Sequence, residues 1–281
     1  MTNLPEPEMF RSARDKIERA RHHFVDLQSE LREYKSRKPF QLIEVADGDS
    51  VEIQVRVTER IPTAITLVLG DCVHNLRSAL DHIVYEAVAK AGTSNCDFPI
   101  WSRASNEFTQ KDWKTFVRNK VQGGNAAALR RYLETLRPYV GGNDEYLWVL
   151  HRLDIIDKHR LLLAVCAATD SIKTVSFVDG VQVNGDGTNE AIQNMGELEL
   201  DFIPAERYPL DDGTVLLRLS TEEMAHLKSM TPRLSIALAE PEPLAGRELE
   251  SAIGELIGKI DVFVNDSENF LCALANGSSI A

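Results

Sequence analysis

The stretch from Pro62 to Lys90 constrains the fold more than any other part of this sequence. Leu69, Val73, Leu76, Leu80, Ile83, Val84 and Ala87 recur at three- and four-residue steps, which places them along one side of a helix. Pro62 suits the first helical turn, and Gly92 marks the exit. At 100° per residue, His74, Ser78, Asp81 and Tyr85 share the opposite side, with Asn75 and His82 at one margin and Arg77 at the other. A solvated face would carry Glu and Lys. This one carries two imidazoles, a carboxylate, an amide, a hydroxyl and a phenol, which marks either a buried hydrogen-bond network or a chemical site.

The rest of the chain supplies partners for that helix. Phe10, Ala13, Ile17, Ala20, Phe24, Leu27 and Leu31 predict a long helix over 6–37, ended before Pro39. Two strand-like runs follow, Phe40–Ala46 and Val51–Val57, joined by Asp47-Gly48-Asp49-Ser50 as a hairpin. Further helices are expected near 109–121, 125–136, 143–164 and 246–264, and extended segments at 171–183, 195–204 and 213–220. The predicted fold class is α+β, mainly a helical bundle with an antiparallel β-sheet built from the early hairpin and later C-terminal strands. Residues 1–170 are expected to form the bundle with its hairpin at 40–57. Residues 171–281 are expected to add an acidic β-rich segment and a C-terminal helix packed on the same domain, or else a separate module.

Composition excludes several classes. With 281 residues, 43% hydrophobic and 26% charged, the chain has material for a large core and is not collagen-like, wholly disordered or a disulfide scaffold. Its longest near-apolar run, Leu161 to Ala168, is too short to cross a bilayer. The start MTNLPEPEMF shows no secretory signal, and four scattered cysteines without a CxxC pair suit a reducing compartment, so a cytoplasmic protein is expected. No Walker loop, GxGxxG, GxSxG or kinase set is present. His74 to His82 and His151 to His159 are eight-residue steps, about 12 Å along a helix, too far to share one ion, so neither metal nor cofactor is expected.

The net charge of −12 is uneven: residues 171–281 hold 7 lysines and arginines against 19 aspartates and glutamates. Upstream, Lys111, Lys114, Arg118, Lys120, Arg130 and Arg131 form a basic segment interleaved with Trp113, Phe116, Tyr132 and Tyr139. Basic groups beside aromatics can hold phosphates and stack on bases, making RNA a candidate partner. The plainer reading is a solvated helical face. A second polar run, His151 to Arg160, lies in a helix apolar on several sides. Asp157 and Arg160 share a side with Leu150, Leu153 and Ile156, which predicts that these partly dry charges pair with each other or across the bundle, and His159 beside a carboxylate is a candidate base.

Arg77-Ser78-Ala79-Leu80-Asp81-His82 resembles the arginine, four to six residues, histidine motif of HEPN-type helical ribonucleases. The stretches HNLRSALDH and DKHR are also similar to those of a family of uncharacterised bacterial and phage proteins. The HEPN resemblance implies metal-independent RNA cleavage by a toxin or defence effector. His82, with Asp81 or His159, would handle the 2′-hydroxyl proton, and Arg77 would stabilise the phosphorane. His74, Asn75, Asp157 and Arg160 would support them, and the 111–131 segment would hold the strand. Arg77 and His82 lie roughly 140° apart around an unbroken helix and about 7.5 Å apart along it, so one helix cannot bring both to one phosphate. Either the helix is interrupted there or a second copy supplies the partner residues, as a two-fold homodimer would, and a homodimer is expected. The rival expectation is a non-catalytic interaction protein that offers its acidic β-surface to a basic partner.

Overall fold

The computed structural model describes residues 9–88, 97–102, 105–122, 126–162, 164–168, 173–178, 181–183, 189–190, 209–221, 224, 227–231 and 234–275. They form an α+β fold, mainly helical, with antiparallel sheets. By compactness the chain divides into two units. One comprises residues 1–28, 66–162 and 250–281, and the other residues 29–65 and 163–249. This partition runs differently from a single boundary near 170: the hairpin falls with the later strands, and the last helix with the earlier ones.

The helical unit is built on amphipathic periodicity. Helix α1 (Arg11–Ser36) begins after Phe10, whose φ of 57° breaks the helical path, and contributes Ala13, Ile17, Ala20 and Leu27 to this core. Helix α2 (Thr63–Val88) buries Leu69, Val73, Leu76, Leu80, Ile83 and Val84, the stripe read from sequence. Helices α3 (Gln110–Lys120) and α4 (Ala126–Leu133) are short. The α3 start is capped by Thr109, whose side chain accepts from the Asp112 N–H at 3.1 Å. Helix α5 (Glu145–His159) is apolar on several sides, as its burial of Leu147, Val149, Leu150, Leu153 and Ile156 requires.

Helix α6 (Leu249–Ala275) buries Ala252, Ile253, Leu256, Ile257, Ile260, Phe263 and Val264. It continues eleven residues past the expected end at 264, through a polar run in which buried Ser267 donates to the Phe263 carbonyl at 2.8 Å. Conversely, the helix expected over 143–164 stops at His159. Arg160 is already extended, and Ala164–Ala168 is a strand, because an apolar run without a period fits either structure.

In the β unit, strands β1 (Phe40–Asp47) and β2 (Ser50–Val57) pair antiparallel around Gly48, whose φ of 60° meets the demand of a two-residue hairpin turn. After β3 (Ala164–Ala168) come β4 (Lys173–Val178), β5 (Val181–Val183), β6 (Asn189–Glu190), β7 (Val215–Ser220), β8 (Leu227–Thr231) and β9 (Leu234–Leu238). The hairpin joins β7 in a three-stranded sheet, β1-β2-β7, with Val51 opposite Leu219 and Ile53 opposite Leu217. Strands β3 and β9 form a two-stranded ladder, and β6-β5-β4-β8 a four-stranded sheet. Val55, Leu210 and Leu216 make a small core on which Phe40, Leu42, Val57 and Leu234 pack. The extended segment expected at 195–204 lies outside the described residues.

Candidate functional site

The polar face of α2 resolves into three separate clusters, each within the helical unit. The first is a clip. Arg77 donates from Nη1 to Asp81 Oδ1 at 2.6 Å, from Nη2 to the Phe98 carbonyl at 3.4 Å and from Nε to His151 Nδ1 at 3.4 Å. Its side chain is only 8% exposed. Asp81 Oδ1 also accepts the Phe98 N–H at 2.8 Å, so both main-chain groups of Phe98 end on α2. The helical i, i+4 spacing of Arg77 and Asp81 brings their charges together, and Phe98 then stands edge-on to Phe263 with ring centres 5.5 Å apart. Accepting from Arg77 fixes the His151 proton on Nε2. Burial and the adjacent guanidinium lower the His151 pKa to about 4.

The second cluster holds His82. Its Nδ1 lies 2.9 Å from Ser12 Oγ on α1, and Ser12 donates both its hydroxyl and, at 2.9 Å, its N–H to Glu86 Oε1. Because the Ser12 proton points to Glu86, His82 Nδ1 is the donor in its contact with Ser12. Arg77 and His82 thus have different neighbours, as the helical geometry requires, and one chain does not bring them to a common ligand.

The third cluster lies between α2 and the end of α5. Asp154, with its side chain 3% exposed, takes His74 Nδ1 at 3.1 Å on one oxygen and Lys158 Nζ at 2.5 Å on the other. Both partners reach solvent. Asp157 lies against the backbone of Gly70, where an added Cβ would come within 2.3 Å of its Oδ1. Burial, then the nearby carboxylates of Asp154 and Asp71, raise the Asp157 pKa, and His74 opposes them. Asp157 faces Gly70, and Arg160, expected on the same partly dry side, is exposed past the helix end. His159 is the exposed last residue of α5 and is not in the Arg77 or His82 contacts. Asn75 donates to the Asp71 carbonyl at 2.8 Å and takes Lys16 Nζ at 3.4 Å.

The basic segment is partly occupied. Arg118 pairs with Glu134 at 3.0 Å, Lys120 with Asp97 at 3.2 Å, and Arg130 donates to the Val121 carbonyl at 3.2 Å. Lys111, Lys114 and Arg131 are exposed. The interleaved aromatics do not form a stacking platform. Trp113 is fully buried and donates to the Leu133 carbonyl at 3.0 Å. Phe116 lies on Trp113, Tyr139 on Phe108 at 4.4 Å, and Tyr132 between Phe263 and Phe270. Aromatic side chains at helical spacing beside cations look alike in sequence whether they face water or the core.

Sequence reasoning missed Ser12, Phe98, His151 and Asp154, the partners that define these clusters. Only Asp154 left a signal, its i, i+4 spacing to Lys158 on a face shared with Leu150 and Leu153. Among the described residues, no group of three or more His, Cys, Asp or Glu is arranged to hold a metal ion, and no helix is long and apolar enough to cross a membrane. Comparison of the chain with models of protein families, with curated proteins and with solved structures finds no match.

Proposed function

We infer that this chain acts by binding, as a non-catalytic interaction protein whose acidic β-region meets a basic partner. The observation that carries this reading is the engagement of Arg77. An arginine that stabilises a phosphorane needs its N–H fork turned toward the scissile group. Here the fork is buried and directed to three acceptors of its own chain. The acidic excess of 171–281 supports a cationic partner, as do exposed Glu44, Asp47 and Asp49 on the hairpin and Asp211 and Asp212 before β7. Arg218 and Arg56 offset part of that charge, at Asp47 and Asp212. A reducing, cytoplasmic setting fits Cys72, which is buried, donates to the Ala20 carbonyl and has its thiol pKa pushed up to about 12 by burial.

Metal-independent RNA cleavage of the HEPN type is the second reading, favoured by the exposure of Lys111, Lys114 and Arg131 with no ion pair among the described residues. It requires a homodimer in which Arg77 leaves its present acceptors. One experiment separates the two readings. Purified chain and the His82→Ala variant are incubated with several RNAs in EDTA, and in parallel titrated with a labelled oligolysine peptide at low and high salt. The binding reading expects no cleavage above buffer, salt-sensitive peptide binding, and the same binding by the variant. Cleavage by the wild type that His82→Ala abolishes would overturn it.

A further inference from the structure

We propose that a groove between β1 and β9 in the β unit receives an extended peptide in which apolar residues alternate with aspartate or glutamate. The groove has a volume of about 480 Å³ and is bordered by two runs of three consecutive strand residues, 40–42 and 234–236. These runs do not pair with each other. Among the described residues, strand β1 is the edge of its sheet, with β2 along one side. Strand β9 has β3 along one side, and among the described residues the bridges on its other side are at Ala237 and Leu238, from Glu248 and Ala245. In an antiparallel strand, successive residues send their N–H and C=O groups to opposite sides. Three consecutive residues therefore present main-chain groups along each open edge, the template that an added strand uses.

Two further observations select the occupant. Ser235, only 5% exposed, lines the groove, and its Oγ has no hydrogen-bond partner among the described residues. A buried hydroxyl without a partner is unfavourable, and a main-chain group entering the groove supplies one. The walls then set the side-chain pattern. Phe40, Leu42 and Leu234 are half-buried against Val55, Leu210 and Leu216, and offer an apolar floor. Lys35 and Lys38 stand exposed at the end nearest α1, and the described residues that line the groove include no carboxylate. Lys35 reaches Glu248 at 3.7 Å, whereas Lys38 has no ion pair among the described residues. In a chain of net charge −12, this is a local cationic border around an apolar slot. It matches a strand whose one face is apolar and whose other face is acidic, and it repels a basic one.

This surface uses none of the residues on which either reading of Arg77 and His82 depends, and its partner differs in charge from the one sought by the acidic face. Each can therefore fail alone. The test is fluorescence anisotropy on the full chain with a labelled Glu-Leu-Glu-Leu-Glu-Phe peptide. Its controls are a Lys-Leu-Lys-Leu-Lys-Phe peptide and an acidic peptide N-methylated at alternate residues, which keeps the side chains and removes strand pairing. The acidic peptide is expected to bind saturably. N-methylation or charge reversal should weaken binding about 10-fold or more, Lys38→Glu about 5-fold, and Ser235→Ala about 2- to 5-fold. Circular dichroism establishes that each variant is folded. Absence of saturable binding by the folded wild type overturns the proposal, and so does equal binding of the N-methylated or basic peptide.

Discussion

Helices α2 and α5 share two polar contacts built from the same residue types, an imidazole, a carboxylate and a cation, yet the two differ in what they leave accessible. At Arg77, Asp81 and His151 the cation is buried and every group points to a partner within the fold. At His74, Asp154 and Lys158 the carboxylate is buried and the imidazole and ammonium reach solvent, each 55% exposed. Burial, and then the guanidinium beside it, suppresses the protonation of His151. A buried carboxylate instead orients His74 through Nδ1 and leaves its ring facing solvent. Which member of the pair is sealed decides whether a polar cluster is a clip or a potential site, and residue type alone does not.

The largest effect should come from breaking the clip. Arg77→Met leaves Asp81 and His151 without their shared donor; Asp81 is partly exposed and keeps the Phe98 N–H, so the loss of the charged hydrogen bonds is expected to cost about 3 kcal/mol in urea unfolding. A loss below about 1 kcal/mol would show that the two clusters differ less than their burial implies.

Next in size is the acid limb of stability. In the folded chain His151 stays neutral down to about pH 4, whereas an unfolded histidine takes its proton near 6.5. The unfolded state binds more protons between these values. This contribution is therefore complete above pH 6.5 and is lost as pH falls toward 4, by up to about 3 kcal/mol. Asp157, whose pKa is raised, acts in the opposite sense and favours the folded state as it protonates. His151→Gln, which keeps an acceptor for Arg77, should flatten the acid limb in a pH series of thermal melts. An unchanged limb would show that His151 is not its source.

The smallest effect probes the open cluster. Gly70→Ala gains helix propensity but drives a methyl into the Asp157 carboxylate, with an expected net loss of about 2 kcal/mol. In an Asp157→Ala background the same change should become neutral or stabilising by up to about 1 kcal/mol, a reversal that a double-mutant cycle reads directly.

Much of the fold was legible in the sequence because its helices and hairpin each bury one face, so the period of Leu69 to Val84 or of Val51 to Val57 reports burial directly. Where the period lapses, legibility lapses too. The apolar run at 161–168 gives no sign that Arg160 leaves the helix, and the polar residues 265–269 hide the continuation of α6. Half of the candidate site was legible for a similar reason. Helical angles alone separate Arg77 from His82, but the acceptors that occupy them come from α1, α5 and the segment at Phe98, which no local pattern links to α2.

The place of α6 in the chain decides how this protein can be dissected. A truncation after residue 170 removes Gly254, Phe263 and Phe270, and so strips the cover from Phe24, Phe98 and Tyr132 in the helical unit. Such a fragment would present bare aromatic surface to water and aggregate. A helical piece must instead keep residues 250–281 together with 1–28 and 66–162, so that the last helix stays attached.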